Sequence, residues 1–231
     1  MSRRELVRRY FVFLAGVVFT ALGISLITKS GLGTSAVTSF AYVLTFLSPG
    51  VTLGTFTFIV NCVMLLGQAL LLGRRFKLTQ ILQLPATFLF SLCIDLWCRL
   101  LSLWTPTLYV QRWLPLLAGC VILGLGVALQ ITADVLALPC EGFVKTVTQK
   151  FQLEFGKVKT CFDVLMVTAA VVLSLIGLGH IAGLREGTVV AALTVGSLSR
   201  FFRARLGFLV KVPAAKEEEK LPLLDGAEAL G

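Results

Sequence analysis

Long apolar runs, broken by short polar or basic stretches, organise this chain from end to end. A helix that crosses a bilayer takes about 20 mostly apolar residues. Six segments reach that length: 10–28, 54–72, 79–101, 113–132, 158–178 and 187–205. Two further segments, 34–48 and 139–151, hold only about 14 residues each, too few to cross at a rise of about 1.5 Å per residue. Each comes after a break: Lys29-Ser30-Gly31-Leu32-Gly33 before the first, Asp134 to Pro139 before the second. The second also carries Glu141, Lys145 and Lys150. Short helices behind such breaks are expected as re-entrant or broken elements, whose irregular backbone must be buried in protein.

The pattern also repeats. Shifted by 103 residues, Leu14-Ala15-Gly16 falls on Leu117-Ala118-Gly119, Val18 on Val121, Leu22-Gly23 on Leu125-Gly126, Leu26 on Leu129, Phe40 on Phe143 and Thr45 on Thr148, nine identities without a gap. After a one-residue gap Gly54 falls on Gly156, Asn61 on Asp163 and Met64 on Met166. Each half reads span, break, short helix, span, span. Three crossings per half force the halves into opposite orientations, the plan of many secondary transporters. The fold expected is all-α and integral to the membrane: about six transmembrane helices in two inverted three-helix repeats, each with a short re-entrant or broken helix. Residues 10–104 make the first half and 113–206 the second. Residues 1–9 form a basic cytoplasmic N-terminus, and 207–231 a disordered cytoplasmic tail, polar from Lys216 to Lys220.

Composition agrees with a lipid environment. Hydrophobic residues make up 57% of the 231 residues and charged residues 14%, against about 25% charged in soluble domains. Mean hydropathy is +0.91. The net charge of +9 sits in clusters between apolar runs: Arg3, Arg4, Arg8 and Arg9; Arg74, Arg75 and Lys77; Arg200, Arg203 and Arg205. That is the loop signature of a membrane protein, so the lipid bilayer, not nucleic acid, is the expected partner. With the N-terminus inside, six crossings place 17 Lys and Arg inside and leave Lys29, Arg99, Arg112 and Arg185 outside. Eight crossings would give 16 and 5, and only six hold the Arg74–Lys77 cluster inside. No small-residue cleavage site follows the basic start, so the first span is expected to be retained. Most of the six cysteines lie within apolar runs and form no CxxC pair, which reads as packing.

Polar groups inside spans are the candidates for function. Asp163 is first, with Lys159 four residues before it on the same face. Its counterpart by the repeat is Asn61, so the two are expected to converge between the halves, where a cation, a proton or a polar solute would bind. A plain Lys159–Asp163 pair at the interface is the competing reading. Glu141 falls in the first turn of the short helix opened by Pro139, where a carboxylate suits the helix dipole; its counterpart is Thr38. The starts of both short helices, at Thr34-Ser35 and Pro139-Cys140, offer free backbone N–H groups to an anionic group. Gln130 and Gln83 are expected to line the site, and Gln68 and Gln80 to bond between helices. Asp95 and Arg200 align at an offset of 105 and read as interfacial. His180 is the only histidine.

Gly16 and Gly23, and again Gly119 and Gly126, place small residues two turns apart and let helices approach closely; such faces would also suit a homodimer. No phosphate loop, zinc-protease motif or nucleophile elbow is present. No catalytic residue, metal ligand or cofactor is expected, and the chain does not read as an enzyme.

The order of motifs resembles a known group. Leu22-Gly23 leading to Gly31-Leu32-Gly33-Thr34, Gly156-Lys157 leading to Asp163, and Gly183-Leu184-Arg185-Glu186-Gly187-Thr188 before a last span resemble the YczE/YyaS/YitT group of bacterial integral membrane proteins, most closely its YczE-like branch. The likeness runs from about Arg9 to Phe202. Within the chain, Ser91 stands where the second half has Gly196. The resemblance implies a multi-pass protein of the bacterial cytoplasmic membrane with both termini inside. It brings no substrate or site residue, though some members are linked to regulation of secondary-metabolite production. Two functions follow as expectations. One is a small secondary transporter or permease for a polar solute, its site lined by Asn61, Asp163, Glu141, Lys159, Gln130, Thr34 and Ser35. The alternative is a membrane scaffold or regulatory protein that transports nothing.

Overall fold

A computed structural model of the chain describes residues 3–73, 76, 78–103 and 108–206, and every regular element among them is helical. The eight α-helices among these residues are α1 (Arg3–Lys29), α2 (Ser39–Leu47), α3 (Leu53–Leu72), α4 (Gln83–Leu100), α5 (Tyr109–Ala133), α6 (Pro139–Phe151), α7 (Phe155–Leu178) and α8 (Glu186–Leu206). Short 3-10 turns at Ala36–Thr38 and Leu78–Leu82 lead into α2 and α4.

The helix ends follow local chemistry. α1 stops where Gly31 and Gly33 take φ of 68° and 137°, angles that a side chain disfavours. Thr52 caps α3 by accepting from the Thr55 amide at 3.2 Å. Pro139, which lacks the amide hydrogen a first turn leaves idle, opens α6. Gly179, left-handed at φ 72°, closes α7.

Among the described residues, five helical stretches are long and apolar enough to cross a membrane: Arg3–Lys29, Leu53–Leu72, Gln80–Leu103, Tyr109–Ala133 and Phe155–Leu178. The chain is a multi-pass, all-helical membrane protein. The sixth expected span corresponds to α8, 21 residues long, which is not among the five helices apolar enough to cross, because Arg200, Arg203 and Arg205 fall in its last turns. The 34–48 segment divides into a 3-10 turn and α2. α7 starts at Phe155, three residues before the expected 158, which carries Asp163 two turns into the helix. The basic cluster Arg74, Arg75 and Lys77 and the tail 207–231 lie outside the described residues.

The most extensive contact is between α1 and α5. They meet at two glycine pairs. A Cβ on Gly16 would stand 2.9 Å from the Gly126 carbonyl oxygen, and one on Gly119 would stand 2.9 Å from that of Gly23. Position rises along one helix as it falls along the other, so α1 and α5 are antiparallel. Lipid removes most of the hydrophobic drive between helices, so close backbone packing of this kind supplies much of the association. α4 flanks α1, α8 flanks α5, α2 lies on α7, and α6 lies on α3. α3 also packs on α4, where Asp95 accepts from the Gly54 amide at 2.8 Å and the Thr52 hydroxyl at 2.7 Å. The α3 start is thus capped from a neighbouring helix, a structural role for Asp95.

Candidate functional site

The start of α6 is held by α3. The Cys140 amide, in the first turn of α6, donates to Asn61 Oδ1 at 3.4 Å, and Asn61 Nδ2 donates to the Thr57 carbonyl at 2.9 Å. Gln68, two turns further along the same face of α3, donates to the Pro139 carbonyl at 2.8 Å and to Gln83 Oε1 at 3.2 Å. Asn61, Gln68 and Gln83 are all buried. Gly142 leaves room for this amide, because a Cβ would stand 2.8 Å from Gln68 Oε1. The result is a buried polar seam that fixes where α6 begins.

Glu141 and Gln130 line the same cleft beside that start. With Asp134 and Lys145 they line a cleft of about 110 Å³ at the break between α5 and α6. Gln130 is 4% exposed. Its Nε2 donates to the Thr20 hydroxyl at 2.6 Å and the Gly16 carbonyl at 3.2 Å, while its Oε1 is buried without a partner. Asp134 ends α5 in a left-handed conformation at φ 47°, which aspartate tolerates better than most residues. Beside it the buried Arg9 donates to the Ala133 carbonyl at 3.4 Å and to Glu5 at 3.2 Å.

Lys159 and Asp163 pair with each other at 2.6 Å along α7. Lys159 also lies 5.8 Å from the Phe162 ring centre, and Phe162 packs on Phe143 of α6. Among the described residues no hydrogen bond joins Asp163 to Asn61. Thr34 and Ser35 belong to a separate hydroxyl web at the break before α2. Thr34 Oγ1 shares hydrogen bonds with Thr28 at 3.1 Å and Thr38 at 2.9 Å, and Ser35 with Thr38 at 2.8 Å. The Thr34 amide donates to Thr188 Oγ1 at 3.2 Å, and the Gly187 amide to the Leu32 carbonyl at 2.8 Å. This web ties the first break to the start of α8.

The residues singled out from sequence therefore fall into groups: Asn61 with the α6 start, Glu141 with Gln130, Lys159 with Asp163, and Thr34 with Ser35. Sequence reasoning missed Thr20, Thr28, Thr188 and Arg9. Thr188 alone carried a signal, as part of the Gly187-Thr188 motif. Nothing in the pattern separates Arg9 from its exposed neighbour Arg8.

Comparison with known proteins adds the following. A family model described as a family of unknown function, DUF6198, matches residues 7–204. An uncharacterised protein of Haemophilus influenzae is 28% identical over 206 residues, 89% of this chain and 88% of the relative. The uncharacterised protein YyaS of Bacillus subtilis is 30% identical over 139 residues, 58% of this chain and 65% of YyaS, which bears out the resemblance to the YczE/YyaS/YitT group. No solved structure gives a significant match.

Proposed function

Because this chain belongs to DUF6198, a family of unknown function, membership brings no activity with it, and we propose from its own geometry that it is a small secondary permease for a polar solute. It has two inverted halves, each of three spans and one half-helix, and it sits in the bacterial cytoplasmic membrane with both termini inside. The observation that carries this reading is the antiparallel, reciprocal glycine packing of α1 and α5. Eight crossings would reverse direction at every helix and make α1 and α5 parallel. Six crossings, with α2 and α6 as half-helices, make them antiparallel.

The half-helices support the same reading. α6 begins beside Asn61 and Gln68, within α3, and its Lys150 ammonium reaches the Leu71 carbonyl at the α3 end at 2.9 Å. An element that starts level with the interior of a span and ends level with its terminus is the broken helix on which many transporter sites are built. The solute would lie where α6 begins, near Asn61, with the Lys159–Asp163 pair on neighbouring α7.

A thermal-shift panel of amino acids, nucleosides, sugars and organic acids on the purified protein tests this. Ligands that bind only the folded state raise its midpoint. The expected result is a stabilising solute whose effect is lost in Asn61→Ala and which crosses proteoliposome membranes containing the wild type. Stabilisation without flux, or none across the panel, would turn the reading toward a scaffold.

A further inference from the structure

We propose that α7 and α8 close on each other at their cytoplasmic ends through an ion pair between Glu154 and Arg200, and that this closure alternates with the α3–α4 contact seen here. The closure rests on the permease reading for its two inverted halves and its sidedness, but it is measured without any solute.

One half makes a seam that the other leaves open. α3 packs on α4, whereas α7 makes no comparable contact with α8. Yet the residues of the first seam have counterparts in the second. Thr52 caps α3 and Gly54 is its second residue. Glu154 stands at the cap of α7 and Gly156 is its second residue, an offset of 102 for both. Ser91 and Asp95 on α4 correspond to Gly196 and Arg200 on α8, an offset of 105. A Cβ on Gly54 would collide with the Ser91 carbonyl oxygen and stand 2.6 Å from the Asp95 carboxylate. A Cβ on Gly196 would meet nothing within 4 Å, and one on Gly156 only Glu154, at 3.7 Å. Glycine weakens a helix, and the present conformation uses the space left at neither position. Packing of α7 on α8 would use it.

The charges match the same closure. In the first seam Asp95 accepts from the Thr52 hydroxyl at 2.7 Å and the Gly54 amide at 2.8 Å. The second seam repeats these positions with the polarity reversed: a donor, Arg200, on the last helix of the half and an acceptor, Glu154, at the cap. Glu154 pairs with Lys157 at 3.1 Å, just as its counterpart Thr52 bonds Thr55 at 2.8 Å. That pair is largely exposed, 83% and 66%, and holds weakly. Arg200 is exposed and forms no ion pair with a described residue. Its guanidinium can grip a carboxylate with two donors.

With both termini inside, α3 begins and α4 ends at the outer face, while α7 begins and α8 ends at the inner one. The seam is then closed outside, at Asp95, and open inside. Exchanging the conformations of two inverted halves gives the same fold with the opposite opening. Glu154 and Arg200 are then joined, and Asp95 is parted from Thr52 and Gly54.

The test uses a cysteine-free chain in nanodiscs carrying Glu154→Cys and Arg200→Cys. A mild oxidant is added, and the disulfide is read by mass spectrometry of the digest. A disulfide needs Cα atoms within about 7 Å, so it forms only when the seam closes. It should form severalfold faster than with Phe201→Cys in place of Arg200→Cys, about 100° round α8. Asp95→Leu, which breaks the outer contact, should speed it severalfold again, because the two seams are coupled. Spin labels on Lys157→Cys and Arg203→Cys read the same closure, with Glu154 and Arg200 intact, where the first pair folds poorly. Two distances are expected, the shorter one depleted by Glu154→Gln and enriched by Asp95→Leu. A disulfide no faster than the Phe201→Cys control overturns the proposal, as does a distance that neither substitution moves. A solute that crosses with no closure keeps the permease and sinks this inference. Closure in a protein that carries nothing does the reverse.

Discussion

α1 and α5 touch twice with the same glycine geometry and different chemistry. At one contact Gly23 and Gly119 are packed by Leu123 and Ile27, wholly apolar neighbours. At the other, Gly16 and Gly126 are packed by Gln130 and Thr20, and the amide of Gln130 reaches across to α1. By the 103-residue shift Leu123 corresponds to Thr20, and Gln130 to Ile27. The contrast recurs further out. Gln68 on α3 bonds the start of α6, whereas Ala170, its counterpart on α7 by the 102-residue shift after the gap, packs dry against Val43 of α2. The same glycine geometry can therefore be kept while the polar content of the α1–α5 seam is gathered at one of its two contacts. The polar contact is the one beside the α5–α6 cleft.

The largest expected effect comes from breaking the apolar contact. A Cβ on Gly23 meets the Leu123 backbone nitrogen at 2.6 Å and Cα at 2.7 Å, neither of which can yield without moving a helix. Gly23→Ala should destabilise by about 1–3 kcal/mol, read as a lower unfolding midpoint in nanodiscs. Gly16→Ala should do less, since its backbone neighbours, the Gly126 carbonyl oxygen at 2.9 Å and the Gln130 nitrogen at 3.0 Å, stand further off. Equal losses would erase the distinction between the contacts.

Next comes the α3–α6 seam. Gln68→Leu removes the donor to the Pro139 carbonyl and leaves Gln83 Oε1 short of a partner. About 1–3 kcal/mol should be lost, the range for a buried group left unsatisfied, again measured by thermal unfolding.

Gln130→Ile converts the polar contact into a copy of the apolar one. It gives up two bonds, but Thr20 still donates to the Gly16 carbonyl at 2.8 Å, and the unpartnered Oε1 disappears. The net change should be within about 1 kcal/mol, visible in the same midpoints. A larger loss would mean that the amide is a main tie between α1 and α5.

The smallest effect belongs to Lys159 and Asp163, side chains each 29% exposed. Lys159→Met should cost about 0.5 kcal/mol at low salt and less at high salt, as solvent-reached i,i+4 pairs do. A midpoint series across salt concentrations checks this. A larger, salt-insensitive loss would point to a more central role for Asp163.

Much of the plan is legible in the pattern of residues, because lipid makes long apolar runs mean one thing. The four spans from Gly54 to Leu178 fall close to the helices, and both short helices follow the breaks at Gly31-Leu32-Gly33 and before Pro139. Gly16, Gly23, Gly119 and Gly126 pack closely, as their spacing implies. Helix ends were harder. Arg3–Arg9 continue α1 because arginine is a good helix former, which charge alone does not reveal. The candidate residues were found by type and depth, but depth does not fix the partner. Asn61 turns to the Cys140 amide, Asp163 turns to Lys159, and Thr34 turns to Thr188, far away in sequence. The partners depend on which helices pack, and one sequence does not state that.

The account rests on α1 and α5 running in opposite directions through the membrane. Thiol labelling from one side tests this most directly. In a cysteine-free background, Gly50→Cys and Lys77→Cys are exposed to a membrane-impermeant maleimide in intact cells and again after permeabilisation. Six crossings predict that Gly50→Cys labels in intact cells and Lys77→Cys only after permeabilisation. Labelling of Lys77→Cys in intact cells, with Gly50→Cys protected, would mean eight crossings and parallel α1 and α5, and would contradict the inverted fold and the permease built on it.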